Sequence, residues 1–333
     1  IYTQKGNHNM KQTYQAPSEE TAGIRNLVLI YNGYYEQNRG NWMPEEFLPY
    51  LLYQRRDGSF SERFFDGFLF LGLLGPQGGQ FFEATDPLKA STWDDWNWYL
   101  EKTFSPGGDL AALRDAVLDA RRMSGDNALR AKLVLMVPFP SRESFPGTEA
   151  QKEALRLYME QMKERYQPFA ASDALELCAL YWLHEDDAQE ELIRYAAALT
   201  HAQGLRFLWI PFFNAHGFGR WKDLGFDSAI LQPNHFFNGT PPEQIPAAAA
   251  LARQNGMGLE LEFDERAFED AGYCRRYLDY LEGAAQYGYG GPDVFKGYYQ
   301  DVKALLYAAR GAGIHGRTLY EKTFEAAHAY RAE

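Results

Sequence analysis

The sequence has little of what several large classes of protein require. It has two cysteines in 333 residues, Cys178 and Cys274. They stand far apart, and Cys178 sits in an apolar run. That excludes a disulfide framework and a zinc-ribbon spacing, and Cys178 reads as a small buried hydrophobe. Basic residues are in deficit, 33 against 45 acidic, for a formal charge of −12. Nucleic-acid binding needs a basic patch that displaces counterions, so no nucleic-acid partner is expected. Long apolar runs are missing as well. The longest, Phe68 to Leu74, is too short to cross a bilayer, so no membrane insertion is expected. No phosphate-cradling glycine fingerprint follows the first apolar run, where Asn32-Gly33-Tyr34-Tyr35 stands. A dinucleotide-binding fold is therefore disfavoured. There is no Gly-x-Ser-x-Gly elbow for serine hydrolysis and no pair of histidines at helical spacing. No cofactor is implied.

What is present is a repeated alternation of short apolar runs and longer helical patterns. Eight runs can be marked: Leu27–Tyr34, Phe68–Leu74, Leu133–Pro138, Leu177–Leu183, Arg206–Phe212, Ser228–Gln232, Gly258–Phe263 and Gly297–Asp301. Near-continuous apolar runs are the mark of parallel strands buried on both faces. Between them, Thr148–Tyr166 carries one apolar stripe at Leu155, Tyr158, Met159 and Met162. Asp187–Gln203, Pro242–Asn255, Arg266–Gln286 and Thr318–Ala332 are similar, and Gly204 and Gly256 stand where helices should stop. Strand–helix alternation means parallel pairing with right-handed crossovers. Eight units predict an α/β fold closed as a (β/α)8 TIM-type barrel, with an open α/β sheet as the alternative. The connection Gly75–Lys132 reads as an insertion after the second strand, forming a wall over the barrel mouth. Residues 1–20 are polar and read as a flexible tail, leaving 21–333 as a single barrel domain.

Active sites of such barrels lie at the carboxyl ends of the strands. The seventh run reads Gly258-Leu259-Glu260-Leu261-Glu262-Phe263. Alternation sends Leu259, Leu261 and Phe263 to the helical layer and Glu260 and Glu262 into the barrel. Buried carboxylates are costly unless paired, hydrogen-bonded or protonated. For Glu260 the simplest expectation is a salt bridge with a buried base, while Glu262, nearer the open end, reads as functional. The fourth run ends Tyr181-Trp182-Leu183-His184-Glu185-Asp186-Asp187. Asp186 and Asp187 fit an acidic helix start, and Glu185 fits either that or a site. A carboxyl after the fourth strand and another ending the seventh form the pair that glycoside hydrolysis needs.

Aromatics make up 16% of the chain, enough to supply stacking surfaces for a sugar as well as a core. Tyr31, Asn32, Trp182, Asn214, Gln232, Asn234, Glu260 and Tyr299 are candidate sugar-binding residues at strand ends. Trp209 reads as core, and Asp66 as belonging to the closed end. The leading expectation is a retaining glycosidase with Glu185 as acid/base and Glu262 as nucleophile. The alternatives are a non-catalytic carbohydrate-binding barrel, or a metal-dependent hydrolase or deacetylase built on His184, His216 and His235.

Three segments, Asn26 to Tyr35, Leu180 to Glu185 and Gly258 to Phe263, together resemble a bacterial family catalogued as domain of unknown function 4855. The resemblance covers the chain from about Asn26 onward. It implies a barrel with a carbohydrate-related role, often in secreted or cell-surface proteins, and favours Glu185 and Glu262 as the matching carboxylates. The first run lacks a carboxylate, so no third catalytic acid is implied there.

Overall fold

The computed structural model describes residues 12–328. All eight apolar runs form strands: β1 (Asn26–Tyr31), β2 (Gly67–Leu71), β3 (Ala131–Val137), β4 (Leu175–Trp182), β5 (Arg206–Trp209), β6 (Ser228–Leu231), β7 (Gly258–Glu262) and β8 (Lys296–Tyr299). They pair in parallel, each with its sequence neighbour, and β8 returns to β1 with Asn26 opposite Lys296. This is a closed (β/α)8 barrel. Closure explains the sequence pattern, because each strand is covered outside by helices and filled inside by side chains. In β1, β2, β6 and β7 every residue is buried.

Ten helices surround the strands among the described residues: α1 (Pro44–Leu51), α2 (Trp93–Phe104), α3 (Asp109–Ser124), α4 (Thr148–Ala170), α5 (Glu190–Ala202), α6 (His235–Asn238), α7 (Gln244–Asn255), α8 (Ala271–Gln286), α9 (Ala304–Ala309) and α10 (Gly316–His328). In α4 the stripe Leu155, Tyr158, Met159 and Met162 is fully buried, as its spacing requires. Gly256 ends α7 in the left-handed conformation at φ 62°, which a glycine adopts without a Cβ clash. The connection between β1 and β2 also holds a hairpin, Leu52–Gln54 against Phe60–Arg63.

The segment expected as an insertion divides in two. Helices α2 and α3 belong to the outer layer, packing on α4 and on α1 and β3. The loop before them supplies the wall, bringing Leu73, Phe82 and Glu83 to the barrel mouth. Asp95 secures its base, accepting from the Thr92 backbone N–H at 2.8 Å and the Thr92 hydroxyl at 3.0 Å.

The tail expected over residues 1–20 needs correction where it is described; residues 1–11 lie outside the described residues. Gln15 continues the closed end of the barrel. Its N–H donates to Met257 O (3.1 Å), its carbonyl accepts from Phe295 N (2.8 Å), and its side chain bridges Asp227 O and Ala229 N. Tyr14 is buried and donates to Tyr287 O. A polar sequence here reflects backbone pairing at a rim. Asp66 is at this same end, accepting from the N–H groups of Arg25 and Asn26. Both cysteines are free and buried.

Candidate active site

The carboxyl ends of the strands enclose a cavity of about 450 Å³. Inward parity decides which residues of β1, β4 and β7 take part. β1 gives Leu29 and Tyr31, β4 and its extension give Tyr181, Leu183 and Glu185, and β7 gives Glu260 and Glu262. Gln232 and Asn234 follow β6, Tyr299 ends β8, and Phe82, Phe212 and Phe237 come from loops and α6. Tyr299 meets Tyr31 and Phe237 edge to face, with ring centroids at 5.4 and 5.1 Å. The result is an apolar wall around an acidic floor.

Two side-chain amides connect the carboxyls. Gln232 Nε2 donates to Glu185 Oε1 at 2.8 Å and to Ile210 O at 2.8 Å. Asn234 Nδ2 donates to Gln232 Oε1 at 3.3 Å and lies 3.5 Å from Glu262 Oε1. Asn234 can reach both because it adopts a left-handed conformation (φ 54°), with its own Oδ1 fixed by Phe213 N. The other oxygen of Glu262 accepts from the Tyr280 hydroxyl, which in turn accepts from the N–H groups of His235 and Phe236. Glu185 and Glu262 are thus held in one chain of hydrogen bonds. Glu260 differs: it is fully buried, and its Oε1 has no hydrogen-bond partner.

Burial raises all three carboxyls above the ordinary carboxylate value, because low dielectric disfavours the charged form. For Glu185 the Asp186 charge adds to burial, and the Gln232 hydrogen bond opposes it. For Glu262 burial dominates against the donors Tyr280 and Asn234, and the group is pushed up to about 8. Glu260, fully buried with Glu262 and Glu185 beside it and no donor, is raised well above the ordinary carboxylate value, which favours its protonated form. A stability prediction follows from linkage. In the unfolded chain these groups titrate near 4.5, and in the folded chain well above it. Between those values the folded state binds more protons, so stability falls as pH rises from about 4.5 towards 8. Glu260→Gln removes one of these protons and is expected to flatten that fall in melting temperature. An unchanged pH dependence in the variant would rule out a raised, protonated Glu260.

The profile of one family, domain of unknown function 4855 (DUF4855), matches residues 26–325. The chain belongs to DUF4855. No curated protein sequence matches it. Among solved structures, the DUF4855 chain is similar to mutant forms of the tryptophan synthase α-subunit from Pyrococcus furiosus. One such form has 9% identity and a TM-score of 0.39, and another 8% and 0.41. In both, 95% of this chain and 99% of the other are covered. Likeness at that level says nothing about chemistry.

Of the residues expected at the DUF4855 site, Glu185, Glu262, Tyr31, Gln232, Asn234, Glu260 and Tyr299 line the cavity. Three do not. Asn32 is fully buried behind β1, donating to Thr103 and Asp109 and accepting from Tyr99, so it ties α2 and α3 to the barrel. Trp182 faces the helical layer, fully buried against Phe139 and Phe207. Asn214 sits in an exposed turn at φ 67° outside the lining. Among the described residues no base reaches Glu260, so the expected salt bridge is not formed there. Asp186 and Asp187 do not open a helix, because α5 starts at Glu190. Asp186 lines the cavity, and Asp187 accepts from Arg220 beside His216. The three histidines do not converge. His184 lies in the cavity wall near Asp186 and Glu83, His216 is on Asp187, and His235 is buried on Asp279 and Thr240. Among the described residues no three side chains are grouped to hold a metal. Tyr280 was not expected, because it reaches Glu262 from α8 rather than from a strand end. Trp209 is core, stacked on Phe226.

Proposed function

We propose that this barrel is a glycoside hydrolase working through Glu185 and Glu262. The observation that carries the reading is the hydrogen-bonded chain Glu185–Gln232–Asn234–Glu262 along one wall of an aromatic-lined cavity. Two carboxyls fixed relative to each other are what cleavage of a glycosidic bond requires. In the first step Glu262 attacks the anomeric carbon while Glu185 gives its proton to the departing oxygen. In the second, Glu185 takes a proton from water, which displaces Glu262. Tyr280 and Asn234 both donate to Glu262, and such donors favour its ionised form and hold it for in-line attack. Net retention is the expected outcome. Tyr31, Tyr299 and Phe237 offer faces and edges to the sugar ring.

The active form carries one proton on the pair, with the charge on Glu262; because burial lifts Glu262 strongly while the Gln232 hydrogen bond counters the lift of Glu185, this form is the minority one. Since burial lifts Glu262, the acid limb of kcat/KM is expected above the ordinary carboxylate range. The test is hydrolysis of a panel of nitrophenyl glycosides and polysaccharides, with the anomer of the first product read by NMR. Glu185→Gln is expected to lose about 10²- to 10⁴-fold on unactivated glycans. The loss in kcat/KM should be much smaller on nitrophenyl glycosides, whose leaving group departs without a proton. Equal losses on both would remove Glu185 from the acid role.

One observation favours a second reading, a carbohydrate-binding barrel without catalysis. Glu262 is only 1% exposed, and both its oxygens face protein donors. In that case glycans bind and no reducing ends are released.

A further inference from the structure

The cavity has five acidic residues in its lining, Glu83, Glu185, Asp186, Glu260 and Glu262. Among the described residues that line it, none is lysine or arginine, and His184 already faces Asp186 and Glu83. Glu260 forms part of the floor. Its neighbours there are the carboxyls of Glu262 and Glu185 and the neutral hydroxyl groups of Tyr31, Tyr181 and Tyr299. Glu260 lines this floor and no described protein group donates to its Oε1, so any donor that satisfies this carboxyl from the cavity side comes from a ligand.

Three classes of sugar can be compared at this floor. Uronates and sulfated or phosphorylated sugars bring a charge of the same sign and are repelled. A neutral sugar can donate one hydroxyl to Glu260 and leaves the crowding of carboxyls as it was. A sugar with a free amine brings three N–H donors and the missing charge. We infer that the glycan taken by this cavity carries unacetylated amino sugars, with the ammonium group seated on Glu260. The inference rests on reading the cavity as a sugar site and adds the class of sugar. N-acetylation would remove the charge and two of the three donors, and place a methyl group against a carboxyl.

Binding then has a proton balance. Glu260 starts as a neutral acid, raised by burial and by Glu262 and Glu185. The ammonium arrives with its own proton and keeps it. The carboxyl ionises against the new charge, so a proton leaves to the buffer: COOH and R–NH₃⁺ become COO⁻ paired with R–NH₃⁺, plus H⁺. A neutral sugar binds without that release.

The experiment is titration calorimetry near neutral pH in two buffers of different ionisation enthalpy. The probes are the methyl glycosides of glucosamine and galactosamine, their N-acetyl forms and the parent hexosides. The amines are expected to bind at least about tenfold more tightly than either counterpart, a difference of about 1.4 kcal/mol. They should also release protons, with Glu260→Gln losing both the release and the preference. Hexosides or N-acetyl forms binding as well as the amines, binding without proton release, or no amine binding at the solubility limit would each overturn the inference. Proton release by the unmodified protein decides the matter even if the variant folds poorly. If amines bind with release and no glycan is cleaved, the hydrolase reading fails and this one stands. If neutral glycans are cleaved while amines are ignored, the reverse holds.

Discussion

Glu262→Gln is expected to reduce kcat by about 10⁴-fold or more on every glycoside the protein cleaves, the scale for removing a member of a covalent-catalysis unit. The substitution keeps the shape of the side chain and its remaining carbonyl oxygen, so Tyr280 can still donate to it. An amide cannot attack the anomeric carbon as a carboxylate does, and the loss should therefore be independent of the leaving group. That separates Glu262 from Glu185, whose contribution shrinks as the leaving group improves. Binding should persist, because Gln232, Asn234 and the aromatic wall are untouched. The measurement is a comparison of kcat/KM, which reports the first step, for both variants on an activated and an unactivated glycoside, with product affinity measured alongside; kcat of Glu185→Gln falls on both because the second step loses its base. A Glu262→Gln protein that retains a tenth or more of its activity would sink the nucleophile assignment. Weakened binding with unchanged kcat would make Glu262 a ligand-binding carboxyl, in favour of the non-catalytic reading.

The barrel strands were legible because burial on both faces writes itself as an apolar run, and Glu260 and Glu262 because they interrupt one such run at every second residue. What escaped were elements made by tertiary context. Helix α1 has eight residues with Pro49 inside it, too short and irregular to show a period. The hairpin beside it has strands of three and four residues. At the site, parity explains both success and failure. Tyr31 and Tyr181 point inward, so Asn32 and Trp182, one residue further, point outward. The same alternation that exposed Glu260 and Glu262 would have removed Trp182 had it been applied to β4. Asn214 lies past the end of β5, where the period of two no longer governs direction. Tyr280, Phe82 and Glu83 reach the cavity from a helix and a long loop, and nothing local in the sequence marks them.

Trp182 gives the sharpest contrast between a site residue and a core residue. Trp182→Ala is expected to destabilise the fold by about 3–5 kcal/mol, the range for emptying a large buried aromatic site. The indole is fully buried between Phe139 and Phe207, where close packing leaves little room for collapse. Its N–H has no hydrogen-bond partner, so the loss is one of packing and apolar burial alone. For the same reason Trp182→Phe should cost far less, because it keeps most of the ring and removes an unsatisfied donor. Trp209 stands beside it in register yet is tied to the cavity, its N–H donating to the carbonyl of His184 at 2.8 Å. Denaturant midpoints measure the stability loss, and glycan affinity of the folded Trp182→Ala protein measures the rest. Affinity should stay within about twofold, since a difference of that size is only about 0.4 kcal/mol. A large loss of affinity with the midpoint unmoved would return Trp182 to the sugar site and reverse the parity of β4, turning Tyr181 and Glu185 away from the cavity with it.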